Sequence, residues 1–265
     1  MSLRRRRVAA AALAALTVCV VVVGVRAARG DGEPTTQVSP VSTSTTTAPT
    51  TAAPSPTTSA RPTLPDYRST GDFSRSPTGT PVRGRSTGQL VTYRVEVERG
   101  SGVTTSEFAA TIDRTLRHER GWTRGGHWRF QRIVRHEPDV TIRLATPRTV
   151  DRACGAAGAD TDGYTSCRAG SVIWLNLDRW YIGVPHVPNL HTYRAYLINH
   201  EVGHAVGFAE HVPCPEPNAL APIMMQQTLS LNNAQLREMS PEDNYPDNPD
   251  TCRTNPWPYP RPAAL

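Results

Sequence analysis

The alternation of apolar and polar residues changes period several times along this chain, and each change marks an element. Residues 8–25 are apolar almost without a break, interrupted only by Thr17, Cys19 and Gly24. Far downstream, Val91, Tyr93, Val95 and Val97 alternate with Thr92, Arg94, Glu96 and Glu98. That period of two predicts a half-buried strand. Thr104 followed by Glu107 is a capping-box signature. Phe108, Ile112 and Leu116 then recur at helical spacing with Ala109 beside them, and Gly121 is the expected stop. Trp128 and Phe130 mark a short strand, and Val140, Ile142 and Leu144 another. Residues 171–178 are nearly continuous in apolar side chains, the pattern of a strand buried on both faces. A helix follows over residues 190–206, then a long stretch rich in Pro and Asn. Strands and helices in this order predict an α+β arrangement.

Composition divides the chain into three parts. The first 30 residues join Arg4–Arg7 to the apolar run, which is an export signal at residues 1–30. The run also reaches the lower limit for spanning a bilayer, so a cleaved signal peptide and a retained transmembrane anchor both remain open. Either way the arginines stay inside and the rest lies outside the cytoplasm. Residues 31–70 contain 12 Thr, 7 Pro and 6 Ser. Such a tract has too little apolar surface to offset the entropy of ordering and reads as a disordered stalk. The globular part is expected over residues 71–265.

Charge narrows the function classes. The chain carries 29 basic and 23 acidic residues, formally +6. Six arginines and no acid lie in the first 30 residues, and the remaining 235 hold 23 of each. The exported part therefore has no net basic field, which argues against a nucleic-acid partner. Cys19 sits in the apolar run. Cys154, Cys167, Cys214 and Cys252 are an even set in an oxidising compartment. Of their three pairings, nearest neighbours (Cys154 with Cys167, Cys214 with Cys252) are preferred. Zinc ligation by Cys214 is the rival for that residue.

The chemistry concentrates at residues 200–211, HEVGHAVGFAEH. His200 and His204 are four apart, so a helix projects both imidazoles from one face, as a Zn2+ site requires. Glu201 is turned about 100° from His200 and reaches a water on the metal without ligating it. This is the H-E-x-x-H arrangement of zinc peptidases, with Glu201 as general base. Gly207 turns the chain sharply and leads to a third ligand just beyond.

Here the sequence resembles the metzincins, whose pattern extends to H-E-x-x-H-x-x-G-x-x-H and a Met-turn. Strict spacing puts the third ligand at Glu210, whereas the nearby histidine, His211, is one residue late. Imidazole is the commoner third ligand in that clan, which favours His211. The resemblance implies a twisted mixed sheet, an active-site helix and Met224 in PIMM as the packing floor beneath zinc. HEVGHAVG, HVPCP, PIMMQQT and NPWPYP together resemble an actinobacterial family of secreted domains without assigned function, over about residues 72–260. The expected function is an extracytoplasmic, monomeric zinc endopeptidase acting on peptide or protein substrates and attached to the membrane by its N-terminal segment. A catalytically silent zinc-containing surface module is the alternative. Residues 171–178 are the expected edge along which substrate lies extended. His186 and His191 are expected as solvated loop histidines, Trp174 and Trp180 as core, Tyr245 as a surface loop residue, and Asp160 with Asp162 as a weak calcium candidate.

Overall fold

The computed structural model describes residues 63–261, so the export signal and most of the stalk lie outside the described residues. The strands are β1 (Phe73–Arg75), β2 (Gln89–Glu98), β3 (Trp128–Arg132), β4 (Val140–Ala145), β5 (Cys167–Ala169) and β6 (Val172–Asn176). The helices are α1 (Thr105–Leu116), α2 (Pro147–Gly155), α3 (Leu177–Ile182), α4 (Leu190–Ala205) and α5 (Asn233–Met239). This is a mixed α+β fold. Its six-stranded sheet runs β1-β2-β4-β6-β5, with β3 paired to the first half of β2. β2, β4 and β6 are parallel, and β5 closes one edge antiparallel to β6. Among the described residues no helix is long and apolar enough to cross a membrane.

Each face of the sheet is covered. Val95, Val97, Ile142, Leu144, Ile173 and Leu175 meet Phe108, Ile112 and Leu116 of α1 and Tyr196, Leu197 and Val202 of α4. Phe108 and Trp180 pack edge to face with ring centres 4.9 Å apart. The opposite face meets α2 through Ala145, Val150, Cys154 and Trp174. A third cluster, Cys214, Ala221, Met225, Leu236, Tyr245 and Cys252, forms the core of the C-terminal region.

Several elements differ from expectation. Alternation in β2 is correct, but its polar face is not solvated: Arg94, Glu96 and Glu98 are buried. Glu96 bonds Arg75 at 2.9 Å and Arg143 at 2.7 Å. Glu98 accepts from Thr70 N and Thr146 N, each at 2.8 Å. Residues 67–70, inside the stretch read as stalk, are thus bonded to the sheet, and Tyr67 donates to Asp178. The strand expected over residues 171–178 stops at Asn176, because the Asn176 side chain accepts from Asp178 N and Arg179 N and starts α3. β6 is also internal rather than an edge. Gly170, at φ +60°, turns the short β5 back beside it, and β5 is the edge. Gly121 does not close α1, which ends at Leu116; it opens a 3-10 turn, Trp122–Gly125, that buries Trp122. The Thr104–Glu107 capping box forms as read. Helices α2 and α5 were not expected, although Thr146-Pro147 and Asn232 are ordinary helix starts.

Both nearest-neighbour disulfides are formed. Cys154–Cys167 ties α2 to β5, and Cys214–Cys252 closes the C-terminal cluster. Cys214 is therefore no metal ligand. Two bridges fit an oxidising compartment outside the cytoplasm.

Candidate metal centre

Helix α4 is buried from Ala195 to Gly203, polar Asn199, His200 and Glu201 included, and it lies against β5 and β6. Asn189 caps its start by accepting from Thr192 N at 2.9 Å. Its end is a Schellman motif: Phe208 N donates to Gly203 O, and Gly207 N to His204 O. Gly207 sits at φ +108°, which a side chain rarely adopts. The turn sends the chain back across the helix end and brings His211 over His200 and His204.

The three imidazoles form a compact triangle. Ring centres are 4.9 Å apart for His200 and His204, 5.3 Å for His200 and His211, and 5.2 Å for His204 and His211. One nitrogen from each lies within 4.8 Å of the others. Glu210 is exposed and lies outside this group. Among the described residues, no other His, Cys, Asp or Glu cluster has this proximity, and Asp160 with Asp162 is no exception.

Every Nδ1 in the triangle is engaged. His200 Nδ1 faces Ile223 O at 3.0 Å, His204 Nδ1 faces Phe208 O at 2.7 Å, and His211 Nδ1 faces Asp243 Oδ2 at 2.7 Å. Oxygen acceptors at Nδ1 fix the tautomer and leave each Nε2 with a free lone pair, the usual outer support of metal-binding histidines. His200 Nε2 is buried with no hydrogen-bond partner, and so is Glu201 Oε2. Burial, followed by the charges on His204 and His211, holds His200 well below the ordinary imidazole pKa. Burial, then His211, also lowers that of His204. Neutral imidazoles are the form a metal takes. Burial alone pushes the Glu201 carboxyl up to about 8.

Met224 lies beneath the helix. A methyl group built on Gly203 would overlap its sulfur, so only glycine permits this approach. The Pro222–Met225 turn also presents Ile223 O to His200. Tyr245 is buried rather than on a surface loop, and its hydroxyl accepts from Gln226 N at 3.2 Å. His186 is not solvated either: its Nε2 lies 2.6 Å from Gln227 O. His191 is exposed, and Trp174 and Trp180 are core. Sequence reasoning missed Asp243, 32 residues from the histidine it holds, and Gln226, whose Nε2 lies 3.4 Å from His211 Nε2. Neither stands at a spacing that marks it.

Residues 64–260 match the family described as "Protein of unknown function (DUF3152)". The chain belongs to the DUF3152 family. No curated protein and no solved structure matches it. The DUF3152 match spans the sheet, helix α4, all three histidines, both disulfides and the C-terminal NPWPYP segment. In that segment Asn255 Nδ2 donates to Ala221 O at 2.8 Å, and Pro256 O accepts from Asn199 Nδ2 at 2.8 Å. The DUF3152 domain thereby clamps its own C-terminus onto α4 and the Met224 turn.

Proposed function

We propose that this chain is an extracytoplasmic zinc-dependent metallopeptidase of zincin-like architecture. One observation carries the reading. Three imidazoles converge with every Nδ1 held, and Glu201, next in sequence to the first of them, has a buried carboxylate oxygen with no partner within the protein. Buried polar atoms are almost always satisfied, and an exception calls for a physical explanation, of which a catalytic role is one. His200, His204 and His211 fit a catalytic zinc, three protein ligands leaving one position open. A merely structural site needs no Glu201, which weighs against a catalytically silent module.

Zinc bound there supplies Lewis acidity, which acidifies water and polarises a carbonyl. Glu201 takes the proton of the attacking water at its unpaired Oε2 and delivers it to the leaving amine nitrogen. Glu201 holds that proton between the two transfers. Asp243 and the carbonyls of Ile223 and Phe208 keep the three rings oriented. The antiparallel edge β5 offers free backbone groups to an extended peptide. Exposed Phe208 and Val212, and a groove of ≈ 310 Å³ lined by Leu90, Trp128, Arg168 and Val206, offer contacts for its side chains. The parallel strands with an antiparallel edge, the Gly207 turn and the Met224 floor support the zincin-like reading. The two disulfides and the expected export segment support an activity outside the cytoplasm, in a monomer secreted or held at the membrane.

The test is metal analysis of the purified full chain, then digestion of casein and a peptide library with and without chelator. One zinc per chain, chelator-sensitive cleavage and its loss in Glu201→Gln are expected. Absence of bound zinc sinks the proposal.

A further inference from the structure

We infer that Gln226 holds the substrate carbonyl oxygen as it becomes an oxyanion, which rests on the hydrolase reading above. Gln226 follows Met224 by two residues and is half-buried. Its Nε2 is 3.4 Å from His211 Nε2, the ring nitrogen left free because Asp243 occupies Nδ1. The opposite end of the carboxamide faces the Tyr196 hydroxyl, which lies 3.4 Å from Oε1 and shares its one proton between Oε1 and Met225 O. With the oxygen turned to Tyr196, the amide nitrogen faces His211 Nε2.

The backbone beneath is fixed. Gln226 N donates to the Tyr245 hydroxyl, and Gln226 O accepts from Leu229 N at 3.0 Å. The two neighbouring phenols serve other partners, Tyr196 as a donor and Tyr245 as an acceptor. Tyr196 donates to Met225 O at 3.1 Å, Tyr245 receives Gln226 N, and both rings are buried. The Gln226 amide, unlike either phenol, lies within hydrogen-bond reach of a nitrogen of the histidine triangle. With a metal held by His200, His204 and His211, the lone pair of His211 Nε2 would be committed, and the amide N–H would be available to an oxygen beside it.

The proton and electron inventory closes with this role. Water oxygen bonds to the carbonyl carbon, the carbonyl π pair moves onto its oxygen, and Glu201 receives the water proton. Gln226 N–H donates to the new oxyanion. Re-forming the C=O bond breaks the C–N bond, and Glu201 passes its proton to the amine. An amide stays neutral at every pH, so it donates without titrating. Removing one such donor typically lowers kcat by about 10²–10³.

The experiment uses the full chain with Gln226→Met, which keeps length and apolar packing, and Gln226→Glu. Zinc content and melting temperature are expected to match wild type, with kcat down about 10²–10³-fold and KM within about threefold. A second readout needs no turnover: the pH midpoint of the visible spectrum of the cobalt(II)-substituted protein. It is expected to rise in Gln226→Met, because the lost donor no longer favours an anionic oxygen, and to rise further in Gln226→Glu. Unchanged kcat with a superimposable cobalt titration overturns the role of Gln226 and leaves the zinc reading standing. A wild type that binds zinc but cleaves nothing removes the hydrolase reading, and the cobalt titration alone then decides whether Gln226 donates to an anion in the site.

Discussion

Gly203 is where the helix that carries the histidines comes closest to the turn beneath it. A methyl group there would overlap Met224 Sδ, and would lie 3.0 Å from Trp122 Cζ2 and 3.3 Å from Met224 Cε. Met224 and Trp122 are each 4% exposed, and the Trp122 indole N–H is fixed to Asn199 O at 3.0 Å. Neither side chain swings aside into solvent. Overpacking of this kind costs about 1–3 kcal/mol, while alanine in a helix interior recovers about 1 kcal/mol over glycine. Gly203→Ala is therefore expected to destabilise the protein by up to about 2 kcal/mol, or up to about 8 °C in a domain of this size. Met224→Ala alone is expected to cost about 2–5 kcal/mol by opening a cavity. It also makes the room that the Gly203 methyl needs. On the Met224→Ala background, Gly203→Ala is thus expected to stabilise by up to about 1 kcal/mol, a reversal of sign. Urea unfolding of the four proteins in chelator measures the coupling without a contribution from bound metal. Equal effects of Gly203→Ala in both backgrounds would falsify the assignment of Met224 as the floor of the site.

Asp243→Ala removes the acceptor that orients His211, and zinc affinity is expected to fall about 10–100-fold by competition titration; unchanged affinity means His211 needs no such support. Replacing Cys214 and Cys252 by Ser opens a loop of 38 residues in sequence separation. A loss of about 4 kcal/mol in unfolding free energy is expected, with weaker zinc binding because His211 lies just before the bridge. Glu201→Gln in chelator is expected to melt above wild type. The folded carboxyl is raised from 4.5 to about 8. Wild type thus loses stability as pH rises through that interval, where its buried acid must ionise, and the gap between the two melting curves should widen from pH 5 to pH 8. A constant gap would mean that Glu201 is solvated in the folded protein.

Local signals made the strands β2 and β4, the capped helix α1 and the helix α4 legible, because the period of apolar residues and a cap at the start are properties of neighbours in sequence. The same holds for His200, Glu201 and His204: one helical turn fixes their mutual placement whatever else the chain does. The third position was not local. A spacing rule chose between Glu210 and His211 only by analogy, whereas the Gly207 turn, closed by Phe208 N on Gly203 O, is what carries His211 inward and leaves Glu210 in solvent.

Other features depended on segments that only folding brings together. Period two in β2 identified a polar face, yet could not tell that Arg75, Arg143, Thr70 and Thr146 would bury Glu96 and Glu98 against it. The free edge of the sheet fell to β5, three residues too short to show any period, because Gly170 reverses the chain there. Asp243 and Gln226 reach the histidines across 32 and 15 residues, from a loop and a turn with no periodic signal. The sequence by itself determined that two imidazoles and a carboxylate share one helix end, and it favoured the two disulfides that the fold forms. Tertiary structure decided what faces them: the third imidazole, its carboxylate partner, the methionine floor and the amide facing His211. Helix geometry is written in spacings of three and four residues, but the enclosure of a site comes from long-range packing, which leaves no period in the chain.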